Sequence, residues 1–240
     1  MGRNARENSS SVARIGRTRH QSAPTPRSGA TARAPHRHDV ALILVDVINA
    51  LDFPGSQGLV RAAERAAPKI EQLAKRAREA RVPVVYVNDN FGQWRSDFAV
   101  TVDACMRRDK PGRRVTARLR PQPDDYFVLK PQHSGFYCTT LEPLLAHIGA
   151  KTLIIAGFAT NLCVLFTAND AYMRGFEVIV PSDCTASNTA RLTRAALAHV
   201  TTGLSGRVDP SAAITFEASA SAHGTGTGKA KSRRAGTRAA

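Results

Sequence analysis

The side chain in this sequence that is best suited to carry out a reaction is the thiol of Cys163. The apolar run Thr152–Ala156 predicts a buried strand shortly before it. Thr160 and Asn161 are favoured helix N-cap residues, so we expect the cysteine in the first turn of a helix. The helix dipole and the unpaired N–H groups there favour a thiolate, which is the nucleophilic form of cysteine. A small buried packing residue is the structural alternative.

Two charged residues follow other predicted strands. Asp46 closes the apolar run Asp39–Asp46, and Lys130 comes directly after Tyr126–Leu129. The carboxyl ends of parallel strands lie at one edge of a sheet, where ligands bind in open α/β folds. We therefore expect Asp46, Lys130 and Cys163 to form one site. Taken alone, Asp46 could simply cap a loop, and Lys130 could simply be a solvated surface lysine.

Together these residues supply a nucleophile, a base and a cation, which are the groups that thiol-mediated acyl transfer requires. Asp46 would take the thiol proton and return it to a leaving amine. Lys130 would hold Asp46 and lower the pKa of the Cys163 thiol. The backbone N–H groups of Ala159 and Cys163 would bind the oxyanion that develops on the attacked carbonyl. His133 is expected at the surface or at the substrate edge, with proton transfer as the alternative.

The elements around these residues alternate between strands and helices, which is typical of a parallel sheet covered on both faces. We predict an α/β fold with a single doubly wound domain, in which a mostly parallel sheet of five or six strands is flanked by helices on both faces. The predicted strands are Asp39–Asp46, Val82–Asn88, Tyr126–Leu129, Thr152–Ala156, Phe176–Val180 and Ala212–Phe216. The predicted helices are Gly58–Arg81, Leu141–Gly149, Asn161–Gly175 and Thr189–Gly203.

The segment Asp89–Asp125 shows the least regular pattern. A loop of this length inside a compact domain is usually functional or a lid, and a surface excursion is the alternative. Among possible substrate contacts, Asn88 and Asn161 are candidates for polar ones. Aromatic residues would wall a pocket, although core packing explains them equally well; they are Trp94, Phe136 and Phe53.

The two ends of the chain carry most of its charge. Of the formal net charge of +15, residues 1–38 contribute +7 and residues 218–240 contribute +5. Both ends are poor in large apolar residues, so we predict disordered basic tails around a folded domain at residues 39–217. The tails favour non-specific contact with polyanions. They lack interleaved aromatic residues, however, which disfavours a dedicated nucleic-acid function.

The four cysteines are widely spaced and include no C-x-x-C pair, which disfavours a disulfide framework or a zinc site. A reducing cytoplasm is therefore the predicted location. No apolar run reaches the length that a membrane span requires, so we expect no membrane contact.

Three motifs resemble the isochorismatase-like cysteine hydrolase superfamily. They are Leu44-Val45-Asp46, the run Lys-Pro-Gln-His-Ser-Gly-Phe at 130–136, and the run Gly-Phe-Ala-Thr-Asn-Leu-Cys-Val at 157–164. The motifs occur in the order and spacing of that family, and the resemblance extends from Asp39 to about Leu204. It is specific for the superfamily but says little about the substrate.

The resemblance implies that Asp46, Lys130 and Cys163 form the catalytic triad of the family. It also implies a cis peptide bond between Phe158 and Ala159, which would turn the Ala159 N–H toward the oxyanion. A homo-oligomer is expected because members of the family commonly assemble.

Departures from the family narrow the expected reaction. Nicotinamidase-like members bind a metal through an Asp-x-His and a second His, whereas this chain has Asn88-Asp89-Asn90 and no histidine between His38 and His133. We therefore expect no metal and no other cofactor. Cys163 also argues against the vinyl ether chemistry of true isochorismatases, which lack the nucleophilic cysteine.

The chain thus resembles the metal-free amidases of the family, which act on carbamoyl, ureido or similar small amides. The expected function is a cysteine hydrolase that cleaves a C–N bond of a small amide or ureide through a Cys163 thioester. Two alternatives stay open: a vinyl ether hydrolase of isochorismatase type, and a hydrolase-fold binding protein that uses its basic tails.

Overall fold

The computed structural model describes residues 38–92 and 97–216. Within them a six-stranded sheet has the order β3-β2-β1-β4-β5, every pair is parallel, and the short β6 pairs with the end of β4. This arrangement confirms the predicted fold class. The strands are β1 (Val40–Val45), β2 (Val84–Asp89), β3 (Tyr126–Lys130), β4 (Thr152–Phe158), β5 (Glu177–Ile179) and β6 (Thr185–Ala186).

Helices pack on both faces of the sheet. Among the described residues, none of them is both long and apolar enough to cross a membrane. A π-helical turn at Thr160–Val164 leads from β4 into α5, and a 3-10 turn at Ser211–Ala213 follows the last helix. The α-helices are α1 (Gln57–Glu79), α2 (Phe98–Cys105), α3 (Arg113–Arg118), α4 (Leu141–Ile148), α5 (Leu165–Met173) and α6 (Ala190–Gly203).

Strand β1 lies at the centre of two apolar layers. Leu42 and Leu44 pack in the layer that contains α1, α2 and α3. Ala41, Ile43 and Val45 pack in the opposite layer, which contains α4, α5 and α6. All five side chains are fully buried. Burial on both faces explains why β1 is a continuous apolar run and does not alternate with polar residues.

Two expectations differ from the structure. The segment Asp89–Asp125 is not irregular throughout, because it contains α2 and α3, whose Phe98 and Val115 reach into the core. The predicted last strand, Ala212–Phe216, is wrong. The backbone there is held by the guanidinium of Arg76, which donates to Ser211 O at 2.6 Å and to Ile214 O at 2.7 Å.

Gly157 brings the ends of β1 and β4 together. It pairs with Val45 and has a φ of 124°, which favours glycine over residues with a side chain. A Cβ atom at this position would lie only 2.0 Å from the carbonyl oxygen of Val45. The close approach therefore fixes Asp46, which follows β1, against the turn that follows β4.

Candidate active site

The structure brings Asp46, Lys130 and Cys163 together around one ammonium group. The Nζ atom of Lys130, the last residue of β3, lies 2.9 Å from Oδ2 of Asp46 and 3.5 Å from Sγ of Cys163. The three residues come from three separate elements, as the shared edge of a parallel sheet requires. A nucleophile, a base and a cation are thus in mutual contact.

Cys163 lies in the π-helical turn that precedes α5, and not in the first turn of an α-helix as the N-cap pattern suggested. The N–H of Val164 donates across the turn to Ala159 O at 3.3 Å, a five-residue span that defines this wider geometry. The preceding peptide bond, Phe158–Ala159, is cis as the family resemblance implied. Thr167 Oγ1 on α5 donates to Cys163 O at 2.7 Å, which ties the turn to the helix.

Lys130 is fully buried, and a buried ammonium needs partners for its charge. Besides Asp46 and Cys163, it contacts the carbonyl oxygen of Gln132 at 3.2 Å and Oδ2 of Asp89 at 3.7 Å. Burial alone would lower the pKa of Lys130. The negative charge of Asp46, followed by Cys163 and Asp89, outweighs burial and raises that pKa, so the side chain is held as a cation.

Both carboxylate oxygens of Asp46 are fixed. Oδ2 accepts from Lys130, and Oδ1 accepts the backbone N–H of Asp89 at 2.8 Å. Burial raises the pKa of Asp46, whereas the Lys130 charge and these hydrogen bonds lower it. The effect of burial is the larger one, so the pKa of Asp46 lies above its ordinary value. A carboxylate with a raised pKa is a stronger base than one exposed to water.

The Cys163 thiol does not have the lowered pKa that the sequence suggested. Burial, followed by the charge of Asp46, raises the pKa of Cys163 to about 12. Lys130 acts in the expected direction and lowers it, but it does not outweigh those two effects. The resting site therefore holds a neutral thiol beside the Asp46–Lys130 ion pair, and the nucleophile needs a base at the moment of attack.

Comparison with known proteins identifies the family of this chain. A model of the isochorismatase domain matches residues 40–208. The chain belongs to the isochorismatase domain family. It is 40% identical over 151 residues to the uncharacterized isochorismatase family protein YaaI of Bacillus subtilis (strain 168), a match that covers 63% of this chain and 82% of that protein.

Two further relatives of this isochorismatase-family chain bear on its chemistry. It is 32% identical over 191 residues to the ureidoacrylate amidohydrolase RutB of Methylobacterium radiotolerans, covering 67% of this chain and 72% of that protein. The crystal structure of a cysteine hydrolase from Pseudomonas syringae pv. phaseolicola 1448A superposes with a TM-score of 0.59 at 28% identity, covering 72% of this chain and 89% of that one.

Two of the residues predicted to contact substrate lie in the interior of this isochorismatase domain. Asn88 is fully buried, and its Nδ2 donates to Ile48 O at 2.6 Å, so it supports the backbone after β1. Phe136 is 5% exposed and packs 6.0 Å from the ring of Phe176, with the guanidinium of Arg174 4.8 Å from its ring centre. Packing surrounds both side chains, and Oδ1 of Asn88 has no hydrogen-bond partner among the described residues. Substrate contact by either residue stays a prediction.

The other substrate candidates differ in their placement. Asn161 is partly exposed in the same turn as Cys163 and stays a candidate for a polar contact. Phe53 is 43% exposed in the loop after β1. Trp94 lies outside the described residues.

Two more side chains adjoin the triad. His133 is exposed, and its Nδ1 lies 3.7 Å from Sγ of Cys163. Asp89, which the sequence analysis did not select, is the second carboxylate near Lys130 and pairs with it in the β2–β3 register. The signal for Asp89 was available, because it follows an apolar strand just as Asp46 does.

The site has no metal-binding arrangement in the described chain. Across residues 38–92 and 97–216, no group of three or more His, Cys, Asp or Glu side chains is placed to hold a metal ion. A cavity of about 620 Å³ lies at the same sheet edge, and its lining includes Asn90 and Leu129, which adjoin Asp89 and Lys130 in sequence.

We expect iodoacetamide to label Cys163 slowly at neutral pH. Labelling requires the thiolate, and a pKa raised to about 12 leaves little thiolate until the solution is strongly alkaline. Mass spectrometry against pH gives the rate for Cys163, with the exposed Cys138 as an internal reference. Half-maximal labelling of wild-type Cys163 below the ordinary thiol value of about 8.5 would contradict this assignment.

Proposed function

We propose that this chain hydrolyses a C–N amide bond of a small ureide or carbamoyl compound through a Cys163 thioester. The observation that carries the proposal is the Lys130 ammonium, which contacts both the base and the nucleophile in a buried site. A relative that acts on a ureide, the ureidoacrylate amidohydrolase of Methylobacterium radiotolerans, supports the substrate class. A similar structure described as a cysteine hydrolase supports the nucleophile.

Acylation begins when Sγ of Cys163 attacks the substrate carbonyl carbon. Asp46 takes the thiol proton during the attack, so a free thiolate with its high pKa never accumulates. The backbone N–H groups of Ala159 and Cys163 bind the oxyanion, and Lys130 offsets the negative charge. When the C–N bond breaks, Asp46 returns the proton to the nitrogen, which leaves as ammonia or an amine.

Deacylation repeats these roles with water as the nucleophile. Asp46 takes a proton from the water molecule that attacks the thioester carbonyl. The C–S bond then breaks, the acid leaves, and the proton on Asp46 returns to the Cys163 sulfur. The site ends in its starting protonation state, with Asp46 ionised beside Lys130.

The experiment is a substrate screen that also looks for the acyl-enzyme. The full chain is incubated with N-carbamoyl amino acids, ureidoacrylate-type ureides, simple primary amides and isochorismate, and release of ammonia or of pyruvate is measured. Rapid acid quenching and intact mass spectrometry detect an adduct, which peptide mapping should place on Cys163 and not on Cys138. Turnover of isochorismate alone would support the vinyl ether alternative. Turnover of none, with salt-sensitive RNA binding that depends on the tails, would support the binding-protein alternative.

We also propose that the chain forms a homo-oligomer through the surface beside the site. Large apolar side chains are exposed on the Cys163 turn and on α5: Leu162 (41%), Phe166 (49%) and Met173 (71%). Burying such side chains against a second copy would remove apolar area from water. The proposed disordered tails and their polyanion contacts fall outside the described residues and stay predictions, as does the cytoplasmic location.

A further inference from the structure

A groove that contains none of the triad residues lies between α1, β6 and α6, with a volume of about 510 Å³. Three cationic side chains line it: Arg65 and Lys69 from α1, and Arg194 from α6. Arg65 and Lys69 are four residues apart, so they share one face of their helix. Two separate elements thus direct positive charge at one concave surface.

The protein offsets only part of the positive charge in this groove, because its lining has three cations and one carboxylate. In the part of the chain that the structure describes, Arg65, Lys69 and Arg194 form no ion pair and no side-chain hydrogen bond. The one carboxylate in the lining, Asp183, is hydrogen-bonded to Ser211. It accepts the backbone N–H of Ser211 at 2.7 Å and the Ser211 hydroxyl at 2.8 Å.

Some cations on the same side of the sheet have carboxylate partners, unlike the three in the groove. Lys75 on α1 lies 3.8 Å from Glu79, and Arg118 on α3 lies 2.5 Å from Glu71. Helix α6 contains no carboxylate along its 14 residues, so it offers no partner for Arg194. The N-terminal residue of α6, Ala190, also lines the groove and adds the positive end of the helix dipole.

The floor of the groove is polar and held by hydrogen bonds. Ser187 is 1% exposed, and its N–H donates to Thr193 Oγ1 at 3.0 Å. The Ser187 hydroxyl accepts the backbone N–H of Asn161 at 3.3 Å. Both Ser187 and Thr193 line the groove. The arrangement is therefore formed before any ligand binds, which reduces the entropic cost of binding.

We propose that this groove binds a small molecule that carries phosphate groups. Guanidinium groups match phosphate oxygens with paired hydrogen bonds, and the lysine adds a point charge. The volume lies in the range of small-molecule sites, which is roughly 300–1,000 Å³. No aromatic residue is present among the described residues that line it, so the groove lacks the stacking surface that single-stranded nucleic acid uses.

The test is calorimetric titration of the full chain with inorganic pyrophosphate at about 150 mM NaCl, where exposed charges are largely screened beyond about 8 Å. A groove variant replaces its three cations by glutamine: Arg65→Gln, Lys69→Gln and Arg194→Gln. A matched variant removes three exposed, unpaired cations away from the groove and leaves the tails intact: Arg81→Gln, Arg108→Gln and Arg120→Gln.

We expect one saturable site whose Kd rises at least about tenfold in the groove variant and less than about twofold in the matched variant. Circular dichroism confirms that both variants are folded. Equal losses in the two variants, or no saturable binding to wild type, would overturn the proposal. Binding of a short RNA that depends on the groove more strongly than pyrophosphate binding does would also overturn it, in favour of a nucleic-acid surface. The proposal does not depend on the hydrolase reaction, so it stands or fails separately.

Discussion

Replacing Cys163 with alanine is expected to lower kcat/KM on the amide or ureide substrate by roughly 10³- to 10⁶-fold, because the thioester can no longer form. The free energy of unfolding should change little, since the side chain is only partly buried. Steady-state kinetics on the substrate found by the screen measures the loss. Cys163→Ser is expected to be nearly as inactive, because a hydroxyl is much harder to deprotonate than a thiol.

The control for this prediction is Cys138→Ala, which removes an exposed thiol elsewhere in the fold. Its kcat/KM should stay within about twofold of wild type. Amide hydrolysis that persists in Cys163→Ala would contradict the covalent mechanism. Activity on a vinyl ether that survives Cys163→Ser would move the assignment to isochorismatase-type chemistry.

Replacing Lys130 with methionine is expected to abolish activity and to lower the free energy of unfolding by about 3–5 kcal/mol at neutral pH. The ammonium is fully buried, and its removal leaves the Asp46 carboxylate without its partner at 2.9 Å. Asp46 can then become neutral only by binding a proton. The folded variant binds that proton more tightly than the unfolded chain, so the loss of stability should be smaller at acidic pH and larger as pH rises. Urea denaturation at several pH values measures this.

The double variant Lys130→Met/Asp46→Asn is the matched control. It removes both charges, so we expect it to recover much of the lost stability while remaining inactive. Asparagine suits position 46, because the backbone there has a φ of 50° and asparagine tolerates the left-handed region. A double variant as unstable as Lys130→Met would show that the ammonium contributes by packing and not by pairing with Asp46.

The triad could be predicted from the sequence because its position depends only on where the parallel strands end. An apolar run closed by Asp46, another followed by Lys130, and a third before Cys163 all end at the same edge once the strands are parallel. The thiol pKa could not be predicted in this way. It depends on how deeply the turn is buried and how near Asp46 lies, and neither appears in the local pattern.

The direction of a side chain on its strand is a second property that the local sequence pattern did not supply. Asn88 lies near the carboxyl end of β2, where the site is. Its side chain shares a face with Val84 and Tyr86, however, and points into the core with α1. Asp89, one residue later, points to the face that carries Lys130. Helices α2 and α3 were missed because they are only eight and six residues long. Pro111 and Gly112 lie between them, and Pro121 and Pro123 follow α3, which made the whole segment read as a loop.

The close approach at Gly157 limits how this protein can be re-engineered. A single methyl group there would meet Val45 O at 2.0 Å, within backbone that carries the nucleophile on one side and the base on the other. Glycines such as Gly55 and Gly175 have nothing within 4 Å of an added Cβ. Libraries that seek new substrates should therefore hold residue 157 constant and vary the exposed positions around His133 and Asn161. Diversity at Gly157 would be lost to misfolded chains before selection could act on it.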